Sequence, residues 1–226
     1  MQNRHQVHNL IILDESGSMS SIKSLIINGF NELVQSIKSI EKQFPEQEHL
    51  ISMISFNDLN YNTLHFVDSV NKLDSINDSS YSPASMTPLF DAMGFSISKL
   101  KQHLEDKENY SVLVTILTDG EENASKEYTS PAIKNLVNEL KQKNWTFTYI
   151  GTDHDVESMA LQLNIYNTMS FDKNGTDIKR MFDVESKSRV KYSLDIKNGE
   201  KNNENFYASI QKNKSKKLGF WKKLIS

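Results

Sequence analysis

The sequence predicts an α/β domain of three layers: a mostly parallel sheet of about six strands with one antiparallel edge strand, and helices on both faces. Three features predict it. Near-continuous apolar runs of strand length, such as LIIL at 10–13 and VLVTIL at 112–117, have the pattern of strands buried on both faces. They alternate with longer segments whose apolar residues recur at three- and four-residue spacing, the mark of amphipathic helices. A short turn cluster at 57–62 separates two strand-like runs, which pairs them as a hairpin and makes the second an antiparallel edge.

Residues 9–14 form the first, central strand. Ser20 or Ser21 caps the following helix, whose Ile22, Leu25, Ile26, Phe30, Leu33, Val34, Ile37 and Ile40 keep helical spacing until Pro45 closes the segment. Residues 50–56 are the second strand and 63–67 the edge strand. The polar stretch to Ser85 is mostly loop, with a short helix near 71–76. Leu89, Met93, Ile97, Leu100 and Leu104 stripe the next helix, with Pro88 at its first position. A strand over 111–118 follows, then a helix over 130–143 that opens on Pro131 and turns Ile133, Leu136, Val137 and Leu140 inward. Residues 145–151 are a strand, 156–163 a short helix, 166–171 the last strand and 176–189 the final helix. From Lys191 the composition shifts to Asn, Lys and Ser, which predicts a domain over 1–190 and a basic, flexible tail over 191–226.

The densest chemistry lies where the first strand ends. Asp14 closes the apolar run, and Ser16 and Ser18 follow at alternate positions. A carboxylate and two hydroxyls on one short loop are hard oxygen donors, suited to a hard divalent cation such as Mg²⁺. Met86-Thr87-Pro88 sets another hydroxyl just before a helix, and the strand over 111–118 runs into Asp119-Gly120. In an open parallel sheet, strand ends and helix starts of this kind converge on one edge, where ligands bind. Taken singly, each feature has a plainer explanation: helix capping for the serines and Thr87, a turn for Asp119-Gly120.

The combination, in this order, resembles the von Willebrand factor A domain and its metal-ion-dependent adhesion site. The D-x-S-x-S of that family matches Asp14, Ser16 and Ser18, its lone threonine matches Thr87, and the aspartate of its T-D-G matches Asp119. The resemblance covers about residues 5–190 and implies a Rossmann-like fold. It also implies that Ser16, Ser18 and Thr87 bind Mg²⁺ (or Mn²⁺) directly and that Asp14 and Asp119 act largely through water. A metal held mainly by neutral hydroxyls stays electrophilic and keeps an open position for an Asp or Glu of a protein partner. In bacteria the family includes adaptors that work beside AAA+ ATPases of the MoxR type. Asp91 fits the family's TPL-x-DA pattern, where it supports loop geometry.

The rival readings are weaker. A strand ending in Asp also suits haloacid dehalogenase-like phosphatases, but their second acid, two positions on, is here Ser16. No G-x-S-x-G elbow or Walker motif is present, so no catalyst is expected. Asp153, His154 and Asp155 form a metal-like cluster on paper without a second His at zinc-like spacing. Glu121 and Glu122 either ring the site or form a solvated acidic loop, Asn57 and Asp58 read as a turn, and His5 and His8 as polar surface.

The chain has 226 residues and no cysteine, hence no disulfide, thiolate nucleophile or cysteine–zinc site. A polar start without a signal core and the lack of any membrane-length apolar run give a cytoplasmic expectation. Residues 201–226 hold seven Lys and one Glu, so the first 200 residues carry −9 of the overall net charge of −3. That acidic body argues against a nucleic-acid surface. The basic end adds Leu218, Phe220, Trp221, Leu224 and Ile225, which suits reversible contact with a groove of the body, a partner or an anionic membrane; the alternatives are nucleic-acid association through the tail and a solvated Lys-rich tail.

Overall fold

The computed structural model describes residues 4–153, 155–200 and 204–207. Within them the chain runs β1 (His5–Asp14), α1 (Lys23–Gln43), β2 (Gln47–Phe56), β3 (Tyr61–Ser69), α2 (Leu89–His103), β4 (Tyr110–Thr118), α3 (Ser130–Lys141), β5 (Trp145–Gly151), α4 (Val156–Gln162), β6 (Asn167–Ser170) and α5 (Gly175–Lys197). The sheet has six strands in the order β3-β2-β1-β4-β5-β6. All neighbours are parallel except β2 and β3, as the strand–helix alternation and the 57–62 turn predict. Among the described residues no helix is long and apolar enough to cross a membrane.

Strand alternation splits the core in two. Val7, Ile11 and Leu13 of β1 face α1 and α5, whereas Leu10 and Ile12 face α2, α3 and α4. Because β1 is buried on both faces it reads as an unbroken apolar run. On the first face, Gly29 of α1 lies against the Phe182 ring of α5. A Cβ at position 29 would stand 2.1 Å from two ring carbons, so glycine is what lets the helices approach.

Several boundaries differ from expectation. β1 begins at His5, not residue 9, because pairing with β2 and β4 absorbs its polar start. His8 is buried, not a surface residue: its ring packs edge-on against His103 and Tyr110. The stretch after β3 holds only a 3₁₀ turn, Val70–Lys72. α1 is preceded by a 3₁₀ turn over Gly17–Ile22, so Ser20 and Ser21 do not cap it. α5 continues to Lys197, which puts the boundary expected at 190/191 inside a helix, and Phe206 and Tyr207 are buried beyond it. The cluster from Leu218 to Ile225 lies outside the described residues.

A buried polar network ties α5 to the sheet. Arg189 donates to Glu185 at 3.0 Å, to Asn9 of β1 at 2.5 Å and to Thr115 of β4 at 2.7 Å. Tyr207 closes it by donating to the other Glu185 oxygen at 2.7 Å. Each charge is compensated, so loss of either partner strands the other in a dry interior. Arg189→Ala is expected to lower the unfolding free energy by about 3–5 kcal/mol, read from urea denaturation.

Two buried imidazoles set an acid limit. Burial pulls His8 down to about 3, helped by Lys107 and His103, and pulls His49 down to about 3, helped by Arg189. The unfolded chain takes up protons near pH 6.5 that the folded chain refuses. Their contribution is therefore intact above pH 6.5 and lost as pH falls toward 3, by up to about 1.4 kcal/mol per pH unit for each imidazole. Urea unfolding at pH 7.5 and 5.5 should show this loss, and His8→Leu should flatten it.

Candidate metal centre

The carboxyl ends of β1 and β4 lie side by side at the point where the strand order reverses, the position at which open α/β sheets bind ligands. Leu13 is in register with Leu117, which sets Asp14 beside Thr118. Asp14 is fully buried and accepts from the Ser16 N–H at 2.7 Å and from the Thr118 hydroxyl at 2.6 Å. Burial pushes its carboxyl up, to about 6, and the nearby Asp119 charge adds to this; the bonds from Thr118 and Ser16 pull the other way.

The structure brings all five expected residues together. The Ser16 and Ser18 hydroxyls are 3.1 Å apart, and Ser18 donates to Asp119 at 2.5 Å. A Cβ on Gly120 would lie 3.3 Å from the Thr87 hydroxyl and 3.7 Å from that of Ser18, so the absence of a side chain there keeps a cradle open between them. Neither Ser16 nor Pro88, at the cap positions of the 3₁₀ turn and of α2, makes a side-chain capping bond. The plain capping explanation therefore does not account for the Ser16 hydroxyl, which faces Ser18 instead.

The donor set fits a small hard cation. Adjacent oxygens of an octahedron with metal–oxygen distances of about 2.1 Å stand about 3 Å apart, close to the Ser16–Ser18 spacing of 3.1 Å. Two carboxylates and three hydroxyls are oxygen donors throughout, and among the described residues no cluster of three or more His, Cys, Asp or Glu forms a second candidate site. Asp153 and Asp155 have other partners: Lys173 for the first, the Ser158 N–H at the start of α4 for the second.

Much of what holds the cradle was invisible in the sequence. Glu15, between two site residues, is buried; its Oε2 accepts from Ser55 at 2.6 Å and from Asn62 at 3.3 Å, and its Oε1 accepts from the Ser82 N–H. Its main chain bonds to Phe56 and Ala84, so β2, β3 and the 80s loop are all tied to one residue. Tyr81 donates to the Asp14 carbonyl at 2.7 Å. Asn123 exchanges bonds with the Thr87 main chain. Glu122, half-buried, is engaged within the fold: it accepts from the Phe90 N–H at 2.9 Å and from Ser125 at 2.6 Å. The positive end of α2 is thereby satisfied internally. Asp91 accepts from the N–H groups of Lys126, Glu127 and Tyr128, holding that loop in shape. Asn57 accepts from Leu59 and Asn60 as an ordinary turn, and Asp58 accepts from the Met86 N–H at 2.9 Å.

The least expected neighbour is Lys173, from the loop between β6 and α5. Its ammonium stands 2.7 Å from Asp119 and 2.6 Å from Asp153. No spacing rule points to it, because it returns across β5 from two strands away.

A Gln at position 15 can present only one acceptor oxygen to the donors that Glu15 serves with two. Glu15→Gln should cost about 1–3 kcal/mol of stability, measured as a lower urea midpoint with unchanged slope.

Among known proteins, 152 solved chains match the fold. The pilus adhesin SpaC of Lactobacillus rhamnosus GG is 14% identical, over 84% of this chain and 31% of its own, with a TM-score of 0.60. Proximal thread matrix protein 1 of the mussel byssus is 13% identical, over 83% of this chain and 47% of its own, TM-score 0.58. The chain thus spans less than half of either protein. The von Willebrand factor domain of the pilus tip protein Mfa5 of Porphyromonas gingivalis is 9% identical, over 83% of this chain and 96% of its own, TM-score 0.56. At these identities the likeness concerns the fold alone. No curated protein matches significantly in sequence. The sequence profile of the von Willebrand factor type A domain matches residues 10–191, from within β1 to within α5. With that match over most of its length and the matching sheet, the chain belongs to the von Willebrand factor type A domain family.

Proposed function

We propose that this domain is a metal-dependent protein-binding module, in which Ser16, Ser18, Thr87, Asp14 and Asp119 hold Mg²⁺ or Mn²⁺ and a partner's Asp or Glu docks at the ion. The observation that carries it is the convergence of the Ser16 and Ser18 hydroxyls with Asp119, beside a cradle that Gly120 leaves open toward Thr87. When bound, the ion supplies Lewis acidity with an exchangeable position, because hydroxyls do not cancel its charge and Mg²⁺ keeps some of its water. The chain's own residues do the rest. Glu15 and Tyr81 fix the backbone of the Asp14–Ser18 loop, and Asn123 fixes that of Thr87. Thr118 and the Ser16 N–H orient Asp14. A nearby cation favours the ionised form of Asp14, offsetting the burial that otherwise raises it.

The names of two similar structures, a pilus adhesin and a pilus tip protein, support binding over catalysis. The partner class is a protein that presents an exposed acid; an AAA+ ATPase of the MoxR type is a candidate on resemblance alone.

Titration calorimetry with Mn²⁺ and Mg²⁺ tests the site. Wild type should bind and Asp14→Ala should give no binding heat; equal heats in the two would overturn the assignment. Metal at about a hundred times its dissociation constant should add about 2.7 kcal/mol to the unfolding free energy. For partner capture, retention on immobilised wild type should be lost in EDTA and in the Ser16→Ala/Ser18→Ala double variant; undiminished retention by the variant would place binding on another surface.

A further inference from the structure

We propose that Lys173 is a built-in counter-ion of the cradle, which compensates Asp119 in the metal-free chain and which a divalent cation displaces onto Asp153 when it binds. The proposal rests on the metal reading of the site.

Asp119 is buried, with a side chain of zero exposure, and its carboxylate needs a compensating charge. The Lys173 ammonium provides one at 2.7 Å, on a side chain that is itself 22% exposed. The same ammonium is 2.6 Å from Asp153, whose side chain is 55% exposed. Lys173 therefore bridges an interior carboxylate and a surface one. Withdrawal from Asp119 does not leave the ammonium without a counter-charge, since Asp153 retains it.

The loop around Lys173 is anchored, which confines the exchange to its side chain. Phe171 donates to the Gly151 carbonyl at 3.1 Å, Asp172 to Asp177 at 2.8 Å, and Asn174 caps α5 by accepting from Asp177 at 2.9 Å. A divalent cation beside Asp119 and an ammonium on the same carboxylate repel each other strongly in a buried site. Affinity for the metal is then the outcome of a competition, weaker than the oxygen donors alone would give. Asp153 assists the metal without touching it, by holding the displaced cation.

The test is titration with Mn²⁺ alone, with thermal midpoints in EDTA, on wild type, Lys173→Gln, Asp153→Asn and the double variant. Lys173→Gln should bind Mn²⁺ at least about tenfold more tightly while melting lower in EDTA. Asp153→Asn should weaken binding severalfold, and in the Lys173→Gln background should change it by less than about twofold, since its effect runs through Lys173. Unchanged or weaker binding by Lys173→Gln, or a persistent Asp153→Asn effect in the double variant, would overturn the proposal and leave the metal site standing. No Mn²⁺ binding by either wild type or Lys173→Gln would overturn both. Asp153 is exposed, so Asp153→Asn alone decides the matter should Lys173→Gln fail to fold: unweakened binding would refute it.

Discussion

Two carboxylates, Asp14 and Asp119, are buried next to each other at the ends of neighbouring central strands, and the upper half of the molecule is organised around that fact. Water cannot compensate them, so the protein must. It does so with a main-chain N–H from Ser16, hydroxyls from Thr118 and Ser18, and the ammonium of Lys173. The geometry of the sheet explains why these groups meet. Parallel strands deliver their carboxyl ends to one edge, and the reversal of strand order at β1 and β4 leaves a crevice there.

That crevice is also where the two halves of the core join. Ser16 and Ser18 lead into α1, which covers one face, while Thr87 leads into α2 on the other. A loop from each side must be held still for their hydroxyls to converge. Internal carboxylates do this: Glu15 for the first loop, Asp91 and Glu122 for the second and its neighbour. Each accepts several donors at once, which holds its loop in one shape, so the hydroxyls of the cradle need not be ordered anew for a ligand.

The sequence revealed the order and type of nearly all elements, because buried strands and helix faces leave a periodic apolar signal. It also singled out five residues that the structure brings together, because strand-end acids and helix-start hydroxyls have fixed places along the chain. It failed where polar residues are buried. His5 and His8 seemed too polar for a strand, yet pairing on both sides absorbs them. Asn- and Lys-rich sequence hid a helix that runs to Lys197. Glu15 and Lys173 were missed for a different reason. Each acts through contacts with residues distant in the chain, and such contacts leave no local spacing to detect.

The burial of so many acids also changes what an approaching molecule feels. Among the described residues seven acids are buried, Asp14, Glu15, Glu41, Asp91, Asp119, Glu185 and Asp195, against one buried Lys or Arg, Arg189. Several of these charges are stabilised where they stand by fixed N–H and hydroxyl dipoles within the fold, which hold them without cancelling them. The domain keeps its net negative charge, and at physiological salt the field of that charge is screened within about 8 Å. Repulsion of an acidic molecule is therefore confined to the last few ångströms of approach, where the short-range chemistry of the cradle takes over.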